Sequence, residues 1–221
     1  MRQLKVIDIS VPPIEERQTT EHRERWSICH LLATLTKHNV LEFPINLIKR
    51  DRPDFCLDTG KKQVGIEITR AIPSDYARAQ VLPEVNSPNS IVDPSLVKGG
   101  SAKKPLSELR SIASKTELTG PGWKGNEIED EWSHAIADRI REKTEKLKSK
   151  GFTKFSENWL LIYDDITSCN IDESCSSLMS NLEGYWSADT FDKILVESGD
   201  LIIEIIKGQI RKLALNDIWK R

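Results

Sequence analysis

Residues Arg50 to Ala71 read R-D-R-P-D-F-C-L-D-T-G-K-K-Q-V-G-I-E-I-T-R-A, and the fold is decided here. Two short β-like runs, Pro53 to Leu57 and Gln63 to Thr69, flank the turn signal Asp58-Thr59-Gly60-Lys61. Side chains alternate along a strand. Ile66 and Ile68 therefore face one way, and Gly65, Glu67 and Thr69 the other. Pairing the runs brings Asp54 and Glu67 together on a polar face backed by an apolar one. Two close carboxylates repel, which costs stability unless a proton or cation sits between them. Mg²⁺ suits such a pair, because it prefers hard oxygen ligands and keeps positions open for water and phosphate. The stretch reads as a metal-dependent site for cleaving phosphodiesters.

Pro53-Asp54 followed by Glu67-Ile68-Thr69 resembles the PD-(D/E)xK nuclease superfamily. The resemblance implies that Asp54 and Glu67 hold one or two divalent ions, Mg²⁺ or Mn²⁺. It also implies a lysine two positions after the acidic residue, where this chain has Thr69. An acidic residue on the first helix often completes the metal site in that superfamily. Glu24 is favoured for this role, one turn from Ile28, with Glu21 as the alternative. The competing reading makes Asp54 and Glu67 solvated charges on an ordinary hairpin.

A chain of 221 residues suffices for one domain with a full core and a large insertion. Its hydrophobic fraction of 38% and charged fraction of 30% are those of a globular protein. At a net charge of −2, any nucleic-acid surface must concentrate its Lys and Arg locally. No run approaches the roughly 18 apolar residues of a membrane span, and the N-terminus lacks the apolar centre of a secretory signal. Cys29, Cys56, Cys169 and Cys175 form no C-x-x-C pair, and Cys56 reads as a reduced, buried thiol. These features point to a cytoplasmic protein.

The rest of the chain supplies a frame for the hairpin. A short strand-like piece and an extended arm occupy residues 1 to 18. A helix capped near Thr20 runs to about His38, with Ile28, Leu31, Leu32 and Leu35 on one stripe. Val40 to Ile48, interrupted by Pro44, reads as an edge strand. Residues 72 to 126 are rich in Pro and Gly and read as an insertion with short helices near 74–81 and 105–116. Within it, Lys103, Lys104, Trp123 and Lys124 are candidates for contacting a nucleic-acid backbone or base. A helix from Glu127 to about Lys150 begins acidic and ends basic. Trp159–Tyr163, Asp192–Val196 and Leu201–Ile206 read as strands, 171–184 as a helix, and 209–220 as a closing helix.

This order predicts an α/β fold. It is a three-layer, restriction-endonuclease-like core with a mixed central sheet flanked by helices, in a single domain over 1–221 with the insertion at about 72–126. A replacement for the missing lysine has to come from a neighbouring element. On the helix from Glu127, rotation of about 100° per residue puts Lys143 in the same sector as Ile136, Ile140 and Leu147, while Lys146 and Lys148 turn away. The sharper reading of that lysine is contact with Asp54 and Glu67, and the blander one is snorkelling to water. The functional expectation is a Mg²⁺- or Mn²⁺-dependent nuclease with catalytic Asp54, Glu67 and Lys143 and metal ligands Glu24, Asp54 and Glu67. Its partner would be DNA before RNA, with no membrane and a homodimer allowed. The alternative is an inactive nuclease-fold protein that binds nucleic acid or another protein.

Overall fold

The structure is a computed structural model that describes residues 2–12, 19–99, 101–164 and 169–219. They form a mixed α/β protein that divides into two compact units.

The first unit comprises residues 1–70, 142–164 and 185–221. Helices α1 (Arg2–Lys5) and α2 (Thr20–Lys37) precede strands β1 (Asn46–Lys49), β2 (Phe55–Asp58) and β3 (Gln63–Ala71). Strands β4 (Glu157–Asp164), β5 (Lys193–Ser198), β6 (Leu201–Ile206) and β7 (Gln209–Ala214) complete a seven-stranded sheet whose spatial order is the order along the chain. Strands β1, β2 and β3 pair antiparallel, β4 and β5 parallel, and β5, β6 and β7 antiparallel, so the sheet is mixed. The parallel pair follows from the connection, because β4 and β5 are joined through a helix rather than a tight turn.

The core forms where the apolar stripe of α2 meets one face of the sheet. Ile28, Leu31, Leu32 and Leu35 cluster with Leu57, Val64, Ile66, Trp159, Leu161, Leu195 and Ile202, all buried. The helix starts one residue earlier than its sequence suggests. Thr19 is the N-cap, and its backbone N–H donates to His22 Nδ1 at 3.1 Å.

The second unit comprises residues 71–141 and 165–184. It contains α3 (Ser74–Gln80), two 3₁₀ turns (Pro83–Asn86 and Pro94–Leu96), α4 (Leu106–Ala113), most of α5 (Glu127–Lys148) and α6 (Ile171–Asn181). Ala79, Val97, Leu109 and Ile112 make a small core of their own. Buried Asp93 ties the Pro- and Gly-rich chain together by accepting from the N–H groups of Ser95 and Gly120 at 3.0 and 2.6 Å.

Three expectations from sequence change. Residues 2–5 are a helical turn rather than a strand, and residues 13–18 of the expected arm lie outside the described residues. Strand β1 begins only after Pro44, because proline cannot donate to a ladder. The closing helix expected at 209–220 is instead strand β7. Lys207 and Gly208 take positive φ of 44° and 81°, forming the two-residue hairpin turn that returns the chain against β6. Pairing with a sheet edge outweighs the segment's weak helical pattern. Among the described residues, no helix is long and apolar enough to cross a membrane.

Candidate active site

The hairpin β2–β3 sets the geometry. Phe55 stands opposite Ile66 and Cys56 opposite Gly65, so continuing the register by one pair places Asp54 opposite Glu67. Their face of the hairpin is closely covered. A Cβ added to Gly65 would lie 2.7 Å from the Phe155 ring and 2.9 Å from Pro53 Cγ, which is why glycine stands there. Glu67 is only 8% exposed. The solvated-hairpin reading therefore fails on burial alone. Cys56, on the same strand pair, is a buried free thiol, as its alternation suggests.

Each carboxylate has a distinct environment. Asp54 Oδ2 accepts from the Ile68 N–H at 2.7 Å, which fastens the loop before β2 to β3. Burial and the nearby charge of Glu67 push the Asp54 carboxyl up to about 6, with Glu24 adding to the rise. The Ile68 N–H and Lys49 oppose it. Glu67 Oε1 accepts from Lys143 Nζ at 2.6 Å, while Glu67 Oε2 is buried with no hydrogen-bond partner among the described residues.

Lys143 comes from the last part of α5, which belongs to the same unit as the hairpin. Its ammonium also approaches the Ile68 carbonyl at 3.5 Å. The lysine on the apolar stripe of α5 thus meets an anion rather than snorkelling to water. By contrast, Lys146 turns to the surface and pairs with Glu142 one helical turn away.

Glu24, on the second turn of α2, bonds Lys49 Nζ, and Lys49 Nζ lies 4.0 Å from Asp54 Oδ1. Glu21 is exposed one turn earlier. Lys49 is a member of the cluster that the sequence reading did not single out. Its place follows from the tertiary pairing of β1 with β2, which sets Lys49 opposite Phe55, one position from Asp54. The order of charge is Glu24⁻, Lys49⁺, Asp54⁻, Glu67⁻, Lys143⁺. Among the described residues, no group of three or more His, Cys, Asp or Glu side chains is arranged to hold a metal ion, and Lys49 engages the third carboxylate.

The other candidates belong to the second unit. Lys104 bonds Glu108 through Nζ, and its backbone N–H donates to Asp75 Oδ2 at 2.7 Å. Trp123 Nε1 donates to Glu131 Oε2 at 2.6 Å, and Lys98 Nζ lies 5.4 Å from its ring centroid. Lys103 and Lys124 are exposed. These contacts give Trp123 a local structural role, and the Lys124 N–H donates to Glu127 Oε2 at 3.2 Å.

Two further features lie apart from the carboxylate cluster. A cleft of about 630 Å³ at the turn end of the hairpin is lined by Leu57, Lys62, Val64 and Trp159 and includes neither Asp54 nor Glu67. Within the core, His30 Nδ1 and Glu197 Oε1 are 2.8 Å apart, both buried, with Asp217 3.7 Å from His30 Nε2. No sequence spacing signals this pair, whose members are 167 residues apart. Comparison of the chain with protein-family models, curated proteins and solved structures yields no match.

Proposed function

We propose that the chain is a divalent-metal-dependent nuclease that hydrolyses phosphodiester bonds, DNA before RNA, on a core of the restriction-endonuclease-like kind. The observation that carries this reading is the bond from Lys143 Nζ to Glu67 Oε1 at 2.6 Å, beside Asp54. It sets a lysine on Glu67 with a second acid, Asp54, just before the neighbouring strand, and two acids and a lysine are the groups that the PD-(D/E)xK chemistry requires. The lysine comes from a helix, and Thr69 occupies the strand position.

The donor set fits Mg²⁺ or Mn²⁺. Such ions are commonly held by one or two carboxylates, with water and substrate phosphate completing the shell. Asp54 and Glu67 would supply the carboxylates. Among the described residues Glu67 Oε2 is a buried acceptor without a donor, and burial together with the charge of Glu67 raises the Asp54 carboxyl. Glu24 would join them once freed from Lys49. When bound, the ion lowers the pKa of coordinated water and neutralises charge at the phosphate.

The side chains have separable tasks. Asp54 is held in place through Oδ2 by the Ile68 N–H, and its Oδ1 lies 4.0 Å from Lys49 Nζ. Lys143 fixes the rotamer of Glu67 and brings a positive charge where an attacking water or phosphate oxygen would carry negative charge. Water attacks phosphorus and the bond to the leaving oxygen breaks. Glu67, or the lysine beside it, would take the water's proton.

The test is cleavage of end-labelled DNA and RNA by purified protein with Mg²⁺ or Mn²⁺. Cleavage should occur with the wild type and vanish in Asp54→Asn/Glu67→Gln. If folded wild-type protein binds nucleic acid with a salt-dependent affinity that Lys103 and Lys104 charge reversal weakens, yet never cleaves, the protein is a binding module instead.

A further inference from the structure

The two lysines of the cluster are not equivalent. Lys143 has a side chain only 13% exposed and holds Glu67 with a normal hydrogen bond. Lys49 has a side chain 45% exposed, bonds Glu24, and stands 4.0 Å from Asp54, too far for a hydrogen bond. Lys49 also belongs to β1, one of the two edge strands of the sheet. Its ammonium lies 4.7 Å from the Phe55 ring centroid, a contact that a flexible stem makes and breaks readily.

A cation between Glu24 and Asp54 relieves the same repulsion that a divalent ion would relieve, with half the charge. We infer that Lys49 is the resident counter-ion of the metal-free cluster, displaced from Glu24 and Asp54 when a divalent ion binds. The inference rests on reading Asp54 and Glu67 as metal ligands. Displacement sets a threshold on loading, because the ion must compete with a tethered ammonium. It also frees Glu24 to join the ligands. The released lysine stays within one side-chain length of the site, where a phosphodiester anion would arrive. Lys143, buried and hydrogen-bonded, stays in place.

Isothermal titration of MnCl₂ into metal-free protein at pH 8, where Asp54 is ionised, tests this directly. Lys49→Met keeps the stem against Phe55 and removes the competing charge, so Mn²⁺ should bind about tenfold more tightly than to wild type. Lys49→Arg keeps the charge and should stay within about threefold of wild type. A second measurement needs no variant: reactivity of Lys49 toward an amine-modifying reagent, followed by mass spectrometry, should rise when Mn²⁺ is added. Equal or weaker binding by folded Lys49→Met, or an unchanged Lys49 reactivity in Mn²⁺-loaded wild type, would overturn the inference and leave the metal site standing. Loss of Mn²⁺ binding in Asp54→Asn/Glu67→Gln ties the titration to this cluster. No binding by either wild type or Lys49→Met would overturn the inference and the metal site together.

Discussion

Lys143 Nζ and Glu67 Oε1 meet at 2.6 Å although 76 residues separate them in the chain. Both side chains are close to nine-tenths buried. Removing either charge strands the other in a poorly solvated place, so the pair has consequences for stability as well as for chemistry.

Lys143→Met should reduce metal-dependent cleavage by about 10²-fold or more, the range of a lost electrostatic stabiliser. It should also lower unfolding free energy by about 1–3 kcal/mol, because Glu67 loses its donor. Lys146→Met, on the exposed face of α5, should alter both by little. Single-turnover cleavage assays and urea denaturation read the two effects separately. Equal effects from the two substitutions, or none from either, would refute the role assigned to Lys143.

Asp54 makes a signed prediction about pH. The ordinary aspartate value is 3.8, and burial pushes Asp54 up to about 6 in the folded protein, so folding favours the protonated form. Its contribution to stability is complete below pH 3.8 and is lost as pH rises to about 6. In metal-free buffer that loss amounts to about 3 kcal/mol at most. Thermal denaturation in EDTA should show this decline in the wild type. Asp54→Asn, which can still accept from the Ile68 N–H, should flatten it. A wild-type profile that instead rises from pH 4 to 6 by the same amount relative to Asp54→Asn would contradict the assignment.

Gly65→Ala should destabilise the protein by about 1–3 kcal/mol, as overpacking does. The new methyl would meet the Phe155 ring and Pro53, neither of which retreats easily, since Pro53 is fixed in the backbone. Urea titration gives the value, and a neutral or stabilising result would show that the face over Glu67 is looser than described.

The buried His30–Glu197 pair should behave asymmetrically. Burial holds the Glu197 carboxyl above its ordinary range, and the hydrogen bond and charge of His30 pull it back. His30→Ala leaves Glu197 without that partner and should cost about 3–5 kcal/mol. Glu197→Gln keeps an acceptor for His30 and should cost less. Chemical denaturation of the two variants compares them, and the reverse order would show that His30 gives Glu197 little support.

Much of the hairpin was legible in the sequence because its determinants are local. The turn residues, the two-residue alternation and the covalent nearness of the runs leave few alternatives to bringing Asp54 opposite Glu67. The sector of Lys143 was equally legible, since helical rotation is a local property, whereas the partner it meets was an inference about packing. Lys49 escaped notice because its role depends on β1 lying beside β2, a tertiary pairing. His30 and Glu197 were beyond reach for the same reason, on elements far apart in the chain. Strand β7 was misread because the edge of β6 decides its conformation. The Pro- and Gly-rich stretch was read as an insertion over about 72–126, whereas the compact unit that contains it spans residues 71–141 and also takes in 165–184.

The sheet follows the order of the chain, strand by strand, and this bears on the sequence of events in folding. The entropy of closing a loop grows with its length. Asp54 and Ile68 are 14 residues apart, Lys49 and Glu24 are 25 apart, and Lys143 reaches Glu67 over 76. The acidic pair therefore has the shortest path to assembly, and its final lysine the longest. A nascent hairpin would hold two mutually repelling carboxylates with its permanent donor still far away. Lys49, encoded just before the hairpin on the strand that pairs with it, is a cation near enough to accompany those acids from the start.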